Sequence, residues 1–182
     1  MHSIEIQNHE LVTPAAPQWL SPNFENIPNY LTEQPWAVWK AEPRTGQTGK
    51  FNKAPRCPKS GIKIGANKPE LFGSFLQAKE AYLSGNFTGV GVLLTGNGLV
   101  GVDIDGYQEL FFHNPELKAW VKLTVDSGYY CEKSPSGTGL RLFIKGSLPS
   151  GGRKSSGLEI YDNARFLTVT GKVAKREGIS HG

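Results

Sequence analysis

Cysteine is scarce in this chain. Cys57 and Cys131 are the two in 182 residues, too few and too far apart in sequence for a disulfide framework or a zinc site. They read as reduced thiols of a cytoplasmic protein. Histidine is thin as well: His2, His9, His113 and His181 are scattered, and no pair has metal-ligand spacing. That argues against a zinc centre and against a nickase built on paired histidines. No apolar run approaches the roughly 20 residues that a membrane-spanning helix needs. The first residues lack a basic start followed by an apolar block, so no secretory signal is expected. A Walker loop is missing too. Residues 146–154 come near its pattern, but Gly152 stands where lysine is required, so ATP hydrolysis is not expected. No internal repeat or low-complexity tract is present.

Glycine (22) and proline (12) are plentiful, which points to short elements and many turns rather than a helical bundle. A hydrophobic content of 38% over 182 residues suffices for one sizeable core. Net charge is only +4, but it is unevenly spread: from Lys40 to Lys68 eight basic residues face Glu42 alone. Such a run is commonly a solvated surface, and it is also the composition of a face that meets a polyanion. Within it, Lys50, Lys53 and Arg56 are the candidate nucleic-acid contacts.

Three motifs carry chemistry. In Val100-Gly-Val-Asp103-Ile-Asp105, apolar residues alternate with Gly101 and the two aspartates. A strand there puts both carboxylates on one face, about 6–7 Å apart, a spacing suited to shared divalent cations. Ser134-Pro-Ser136-Gly-Thr-Gly139 is a glycine-rich turn leading into a strand that carries Arg141. It is either an ordinary hairpin turn or a phosphate pocket lined by amides and hydroxyls. Glu159, between Leu158 and Ile160, offers a third carboxylate, and Arg165 a second arginine. Three carboxylates flanked by arginines describe a phosphoryl-transfer site for metal ions and a triphosphate. Each arginine also has a plainer reading as a structural partner, Arg141 for Glu132 or Glu159.

Taken in order, these motifs resemble the primase–polymerase (prim-pol) domain of the archaeo-eukaryotic primase superfamily, in the form found in phage, plasmid and other mobile-element replication proteins. That family carries an Asp-x-Asp strand, a Ser-Pro-Ser-Gly-x-Gly-Leu-His strand and a Glu-x-Tyr…Arg-Phe-x-Thr-x-Thr-Gly segment. Pro35-Trp-Ala-Val-Trp39-Lys, Lys53-Ala-Pro55 and residues 89–96 extend the likeness to about residues 26–173. One position departs: Arg141 replaces the family's histidine. Arginine binds phosphate rigidly but does not titrate near neutrality.

The resemblance implies an α+β fold, with a mainly antiparallel, RNA-recognition-like sheet and helices, preceded by a small α/β module. It implies a template-directed nucleotidyltransferase, a DNA primase and/or DNA polymerase. Asp103, Asp105 and Glu159 would be the catalytic carboxylates and the ligands of Mg2+ or Mn2+. Ser134, Ser136, Arg141, Arg165 and Lys53 would bind nucleotide. Its expected partners are a single-stranded DNA template, nucleoside triphosphates and a helicase domain or partner, in the cytoplasm of a prokaryotic or phage-infected cell and away from membranes. The competing readings are a non-catalytic module that binds single-stranded DNA or nucleotides, and a metal-dependent nuclease.

Residues 1–25 are expected to be a flexible extension, 26–173 the prim-pol domain, and 174–182 a linker towards a further domain. The periodicity predicts a short helix over 29–33, a strand over 36–40 with 50–54 as its return, and a helix over 69–84. Residues 90–94 and 99–105 are expected to form a hairpin, followed by a helix over 108–125. Strands over 128–133, 140–145 and 158–161, the last running on towards 166–170, complete a βαβ-like start and an antiparallel sheet. Trp36, Trp39, Tyr129 and Tyr130 are candidate stacking platforms, with the tryptophans more often core.

Overall fold

Every strand pairing in the computed structural model, which describes residues 17–149 and 151–180, is antiparallel. After a short 3-10 turn at Phe24–Asn26 come α1 (Asn29–Thr32), β1 (Trp36–Trp39), the hairpin β2 (Glu42–Arg44) and β3 (Gln47–Asn52), and β4 (Pro55–Arg56). A 3-10 turn at Pro69–Leu71 then precedes α2 (Phe75–Leu83), β5 (Gly89–Thr95), β6 (Leu99–Ile104), α3 (Tyr107–His113) and α4 (Pro115–Asp126). The remainder is β7 (Tyr130–Lys133), β8 (Leu140–Lys145), β9 (Arg153–Ser155), β10 (Leu158–Tyr161), β11 (Asn163–Val169) and α5 (Arg176–Ser180). They build a four-stranded sheet, β11-β5-β1-β4, and a five-stranded sheet, β7-β8-β6-β10-β9, with β2-β3 as a separate ribbon.

The expected hairpin of 90–94 with 99–105 does not form. β5 lies between β11 and β1, and β6 between β8 and β10, so the link 96–98 carries the chain from one sheet to the other. The reason lies in burial: both strands are almost wholly buried, and each takes a partner on both edges. The sheets touch where Gly101 leaves room, since a Cβ there would run into Leu167 and meet Leu94 Cδ1 at 3.0 Å. β10 and β11 part in the same way, one strand to each sheet. The four-stranded sheet is therefore not a module that precedes the other: β11 completes it. Its βαβ-like start is also antiparallel, β1 against β5.

Smaller expectations shift for local reasons. The return strand pairs with β2, while β4 takes the edge of β1. The helix over 69–84 begins only at Phe75. Gly73 is bonded to Trp36 in both directions, and Ser74 and Gln77 form a reciprocal capping box. The helix over 108–125 is two helices, broken where the Asn114 side chain caps α4 and Pro115 opens it. Residues 17–25, expected to be free of the domain, lie on it: the Trp19 ring meets Trp39 edge-on, and Asn23 N–H donates to Thr170 O at 2.7 Å. Residues 1–16 lie outside the described residues. The end expected to be a linker contributes Ala174 and Ile179 to a buried cluster, with Ile179 on α5.

Helices cover one face of the five-stranded sheet. Val102, Ile104, Leu140, Leu142 and Cys131 pack there with Tyr107, Phe111 and Val121 of α3 and α4. Leu99 and Phe143, on the other face, join the core of the four-stranded sheet with Val90, Val92, Leu94 and Leu167. Trp36 and Trp39 are buried. They are core residues, not open platforms.

Candidate active site

A transverse row of charges crosses the five-stranded sheet on the face opposite α3 and α4. Glu132 on β7 stands opposite Arg141 on β8, and Arg141 opposite Asp103 on β6. Asp103 stands opposite Glu159 on β10, and Glu159 opposite Lys154 on β9. Directly paired residues of antiparallel strands share a face with Cβ atoms about 4.5–5.5 Å apart, so two like charges, Asp103 and Glu159, stand side by side with a cation on either flank. The sequence expectation that Asp103 and Glu159 meet from different strands is realised as a register pair.

Each carboxylate in the row has partners. Arg141, only 5% exposed, donates to Asp103 Oδ2 at 3.3 Å and to the Thr168 carbonyl at 3.2 Å, and also bonds Thr168 Oγ1. Its Nε lies 3.3 Å from Asp103 Oδ1 without hydrogen-bond geometry, leaving both atoms buried and unbonded. The arginine's partner is thus Asp103, neither Glu132 nor Glu159. Glu159 receives Lys154 on one oxygen and Arg165 on the other. Burial pushes Glu159 up, but Lys154 and Arg165 outweigh it and hold its carboxyl below the usual range. Arg165 also lies over the Tyr161 ring at 4.4 Å.

Asp105 follows the last residue of β6, its N–H fixed to Gly157 O at 2.8 Å. Protein packed around its carboxyl raises its pKa, and the Asp103 charge raises it further, against Arg141 and Lys53. Lys53 reaches this site from the segment after β3. Burial lowers its pKa and Arg141 adds to that, while Asp103 and Asp105 pull the other way.

The serine turn abuts the same end of β6. Ser134 is buried and spends its hydroxyl on Gly139 N–H at 3.0 Å, whereas Ser136 is exposed and contacts Thr138 Oγ1 at 3.0 Å. Gly139 is required here, since a Cβ would meet Ile104 O at 2.8 Å and Ser134 Oγ at 2.9 Å. The Thr138 carbonyl accepts from Tyr107 N–H, which joins the turn to α3. Beyond Asp105 opens a cleft of about 270 Å³, lined by Glu109, His113, Ser156 and Gly157 among others.

Of the three lysine and arginine contacts expected for nucleic acid, Lys50 is exposed on β3 and Lys53 faces the aspartates. Arg56 is held by Glu42 and by the Gly61 carbonyl at 2.8 Å. Sequence reasoning passed over Lys154 and Thr168, and considered Glu132 only as a partner for Arg141. Lys154 was legible only as part of the failed Walker pattern, and Thr168 lies in the threonine-rich end of β11. Glu132 is fully buried, accepting from Thr170 N–H at 2.9 Å, Gly171 N–H at 2.7 Å and the Tyr130 hydroxyl at 2.8 Å.

Among the described residues, no three carboxylate, histidine or cysteine side chains are gathered closely enough to ligate one metal ion. Asp103 and Asp105 nonetheless fit a divalent cation. One offers a buried oxygen without a hydrogen bond, and the other is a carboxyl raised in part by its neighbour's charge. Both are the hard oxygen donors that Mg2+ and Mn2+ prefer. Glu159 would join them only by exchanging Lys154 or Arg165.

The domain is α+β, with its acidic groups on the inner strands β6 and β10 and cations on either side of them. No family model matches the chain. Over 147 residues it is 30% identical to the "DNA Primase-polymerase" of Nitratiruptor phage NrS-1, a match covering 76% of this chain. The chain spans about a fifth of that relative's length, 19% by the match. It belongs with the primase–polymerase domains. Among the described residues, no helix is long and apolar enough to cross a membrane.

Proposed function

We propose that this chain is a template-directed nucleotidyltransferase, a DNA primase and/or DNA polymerase serving replication of a phage or other mobile element. The observation that carries it is the placement of Asp103, Asp105 and Glu159 at one end of one sheet face, with Asp103 and Glu159 in register. Lys53, Arg141, Lys154 and Arg165 surround them. Passive binding of a polyanion gains nothing from clustered carboxylates. The five-stranded sheet with helices on one face would correspond to the archaeo-eukaryotic primase core.

Asp103 and Asp105 would hold the divalent cations, Mg2+ or Mn2+, with Glu159 as the third carboxylate. Such ions activate the attacking hydroxyl and stabilise the departing pyrophosphate. Lys53, Arg165 and the exposed Ser136 would receive the nucleotide phosphates, and Ser134 would hold the turn that presents Ser136. Lys154 and Arg165, which pair with Glu159 here, would be available to phosphate if Glu159 served as a metal ligand. Arg141 is already committed to Asp103 and Thr168, so its role is to orient Asp103 rather than to clamp a triphosphate. Single-stranded template would pass the hairpin at Lys50, and the greater length of the relative is consistent with a helicase domain or partner.

The ion pairs on Asp103 and Glu159 favour one second reading, a non-catalytic module that binds single-stranded DNA. Incubation with a single-stranded template and all nucleotides, primed and unprimed, in Mg2+ and in Mn2+, decides between them. Incorporation that disappears in Asp105→Ala establishes the enzyme; strand binding without incorporation in either metal establishes the module.

A further inference from the structure

Trp19 stands ahead of the segment that resembles the family, yet it touches the candidate site. Its ring meets Phe51 at 5.4 Å and Trp39 at 5.6 Å between centroids, both edge-on. Two residues beyond Phe51, the Lys53 ammonium lies 5.1 Å from the centroid of the Trp19 ring. The next residue of the arm, Leu20, donates its N–H to Pro135 O at 2.8 Å, inside the serine turn. Asn23 N–H then reaches Thr170 O, and the Asn26 side chain donates to Gly171 O at 3.2 Å. Residues 19–26 therefore run from the base of the β2-β3 ribbon, past the serine turn, to the end of β11.

A lysine ammonium on its four-carbon stem is loosely placed unless a neighbour fixes it. An indole face attracts a cation through the negative face of its ring. We propose that Trp19 is a positioning residue: its indole fixes the Lys53 ammonium beside Asp103 and Asp105, while the arm locks the segment bearing Lys53 to the serine turn. The proposal rests on the assignment of Lys53 as a nucleotide contact. It extends the site to an arm that the sequence places outside the domain.

The test is a double-mutant cycle with Trp19→Leu, which stays apolar but removes the ring face, Trp19→Phe, which keeps a ring, and Lys53→Ala. Steady-state primer extension and melting temperature are measured on each, and acetylation of Lys53 by an amine-reactive ester, read by peptide mass spectrometry, on wild type and the two Trp19 variants. Trp19→Leu is expected to raise the nucleotide KM about three- to tenfold, with kcat within about twofold, and to make Lys53 acetylate faster. Trp19→Phe should stay near wild type. In the Lys53→Ala background, Trp19→Leu should add no further rise in KM, because the contact it supports is gone. Multiplying KM effects, or a lowered melting temperature with unchanged KM and acetylation, would overturn the proposal. If the wild-type protein extends no primer, the proposed function fails. Acetylation of Lys53, faster or unchanged in Trp19→Leu, still decides whether Trp19 positions it.

Discussion

Asp103 and Arg141 face each other across two antiparallel strands, and the arginine reaches the aspartate while its other nitrogen holds Thr168 of the opposite sheet. One buried cation thus ties a candidate metal ligand to the strand that closes the second sheet. Removing either partner leaves an uncompensated charge in a place that water barely enters.

Arg141→Ala should therefore cost about 3–5 kcal/mol of stability, the usual penalty for breaking a buried pair from one side. For a domain of this size that is a fall of roughly 6–20 °C in melting temperature. Combining it with Asp103→Asn should recover part of the loss, since neither charge is then stranded. An unchanged melting temperature with a raised nucleotide KM would instead make Arg141 a phosphate ligand.

Asp105 allows a cleaner test of catalysis than Asp103, because it is exposed and lies at the end of β6. Asp105→Ala should lower incorporation at least about a hundredfold while leaving folding intact and single-strand binding unchanged or tighter. Extension assays beside filter binding would show it, and near-normal extension would remove the aspartate from the mechanism.

Glu132 sets a pH dependence of stability. Burial pushes its carboxyl up to about 7 from 4.5, against the three donors that favour the charged form. Between those pH values the folded protein keeps a proton that the unfolded chain has lost. Stability therefore falls as pH rises from about 4.5 to 7 and levels off above, by roughly 3 kcal/mol at about 1.4 per pH unit. Glu132→Gln should flatten that slope and cost about 1–3 kcal/mol at pH 5, because its amide nitrogen would face an N–H donor. Urea midpoints from pH 4.5 to 7.5 for both proteins measure the two effects.

Binding of single-stranded DNA should weaken with salt, with about 0.7 lost from the log–log slope for each phosphate contact removed. Lys50→Ala with Lys53→Ala should lower the slope by about 1.4. Arg56→Ala should leave it unchanged, because Glu42 and Gly61 already hold that guanidinium. Titrations at several salt concentrations would reveal a mistaken assignment of this face.

The alternation of Val100, Val102 and Ile104 with Gly101 and Asp103 made the strand and its two faces legible without a structure. The candidate carboxylates Asp103 and Glu159 were likewise marked by motifs that are local in sequence. What could not be read was partner choice. Thr95-Gly-Asn-Gly98 has turn chemistry, and nothing in those four residues says whether the strands around it pair with each other or with Trp36 and Leu142 far away. The same limit hid Thr168 from Arg141 and Lys154 from Glu159: register across distant strands is set by tertiary packing, not by nearby sequence. Trp19 escaped because one aromatic in a polar, proline-bearing arm has no period to announce it.

The two links between the sheets are bonded to each other, Gly96 N–H to Asp162 O at 2.8 Å, beside the pairing of Thr95 with Asn163. The five-stranded sheet is built from one continuous stretch, 99–161, whereas the other gathers strands from both sides of it in the chain. The four-stranded one waits for β11, made last of all the strands, and β11 can take its place only beside a β5 whose continuation already lies in the other sheet. A nascent chain would have Asp103, Arg141, Lys154 and Glu159 in hand by residue 161, but Arg165 and Thr168 arrive only with β11, whose pairing to β5 sets a slow, long-range closing step. A protein cut after Gly98 and supplied as two pieces holds every strand of the five-stranded sheet in the second piece, but should complete the four-stranded sheet, and gain Lys53 beside the aspartates, only when the pieces join.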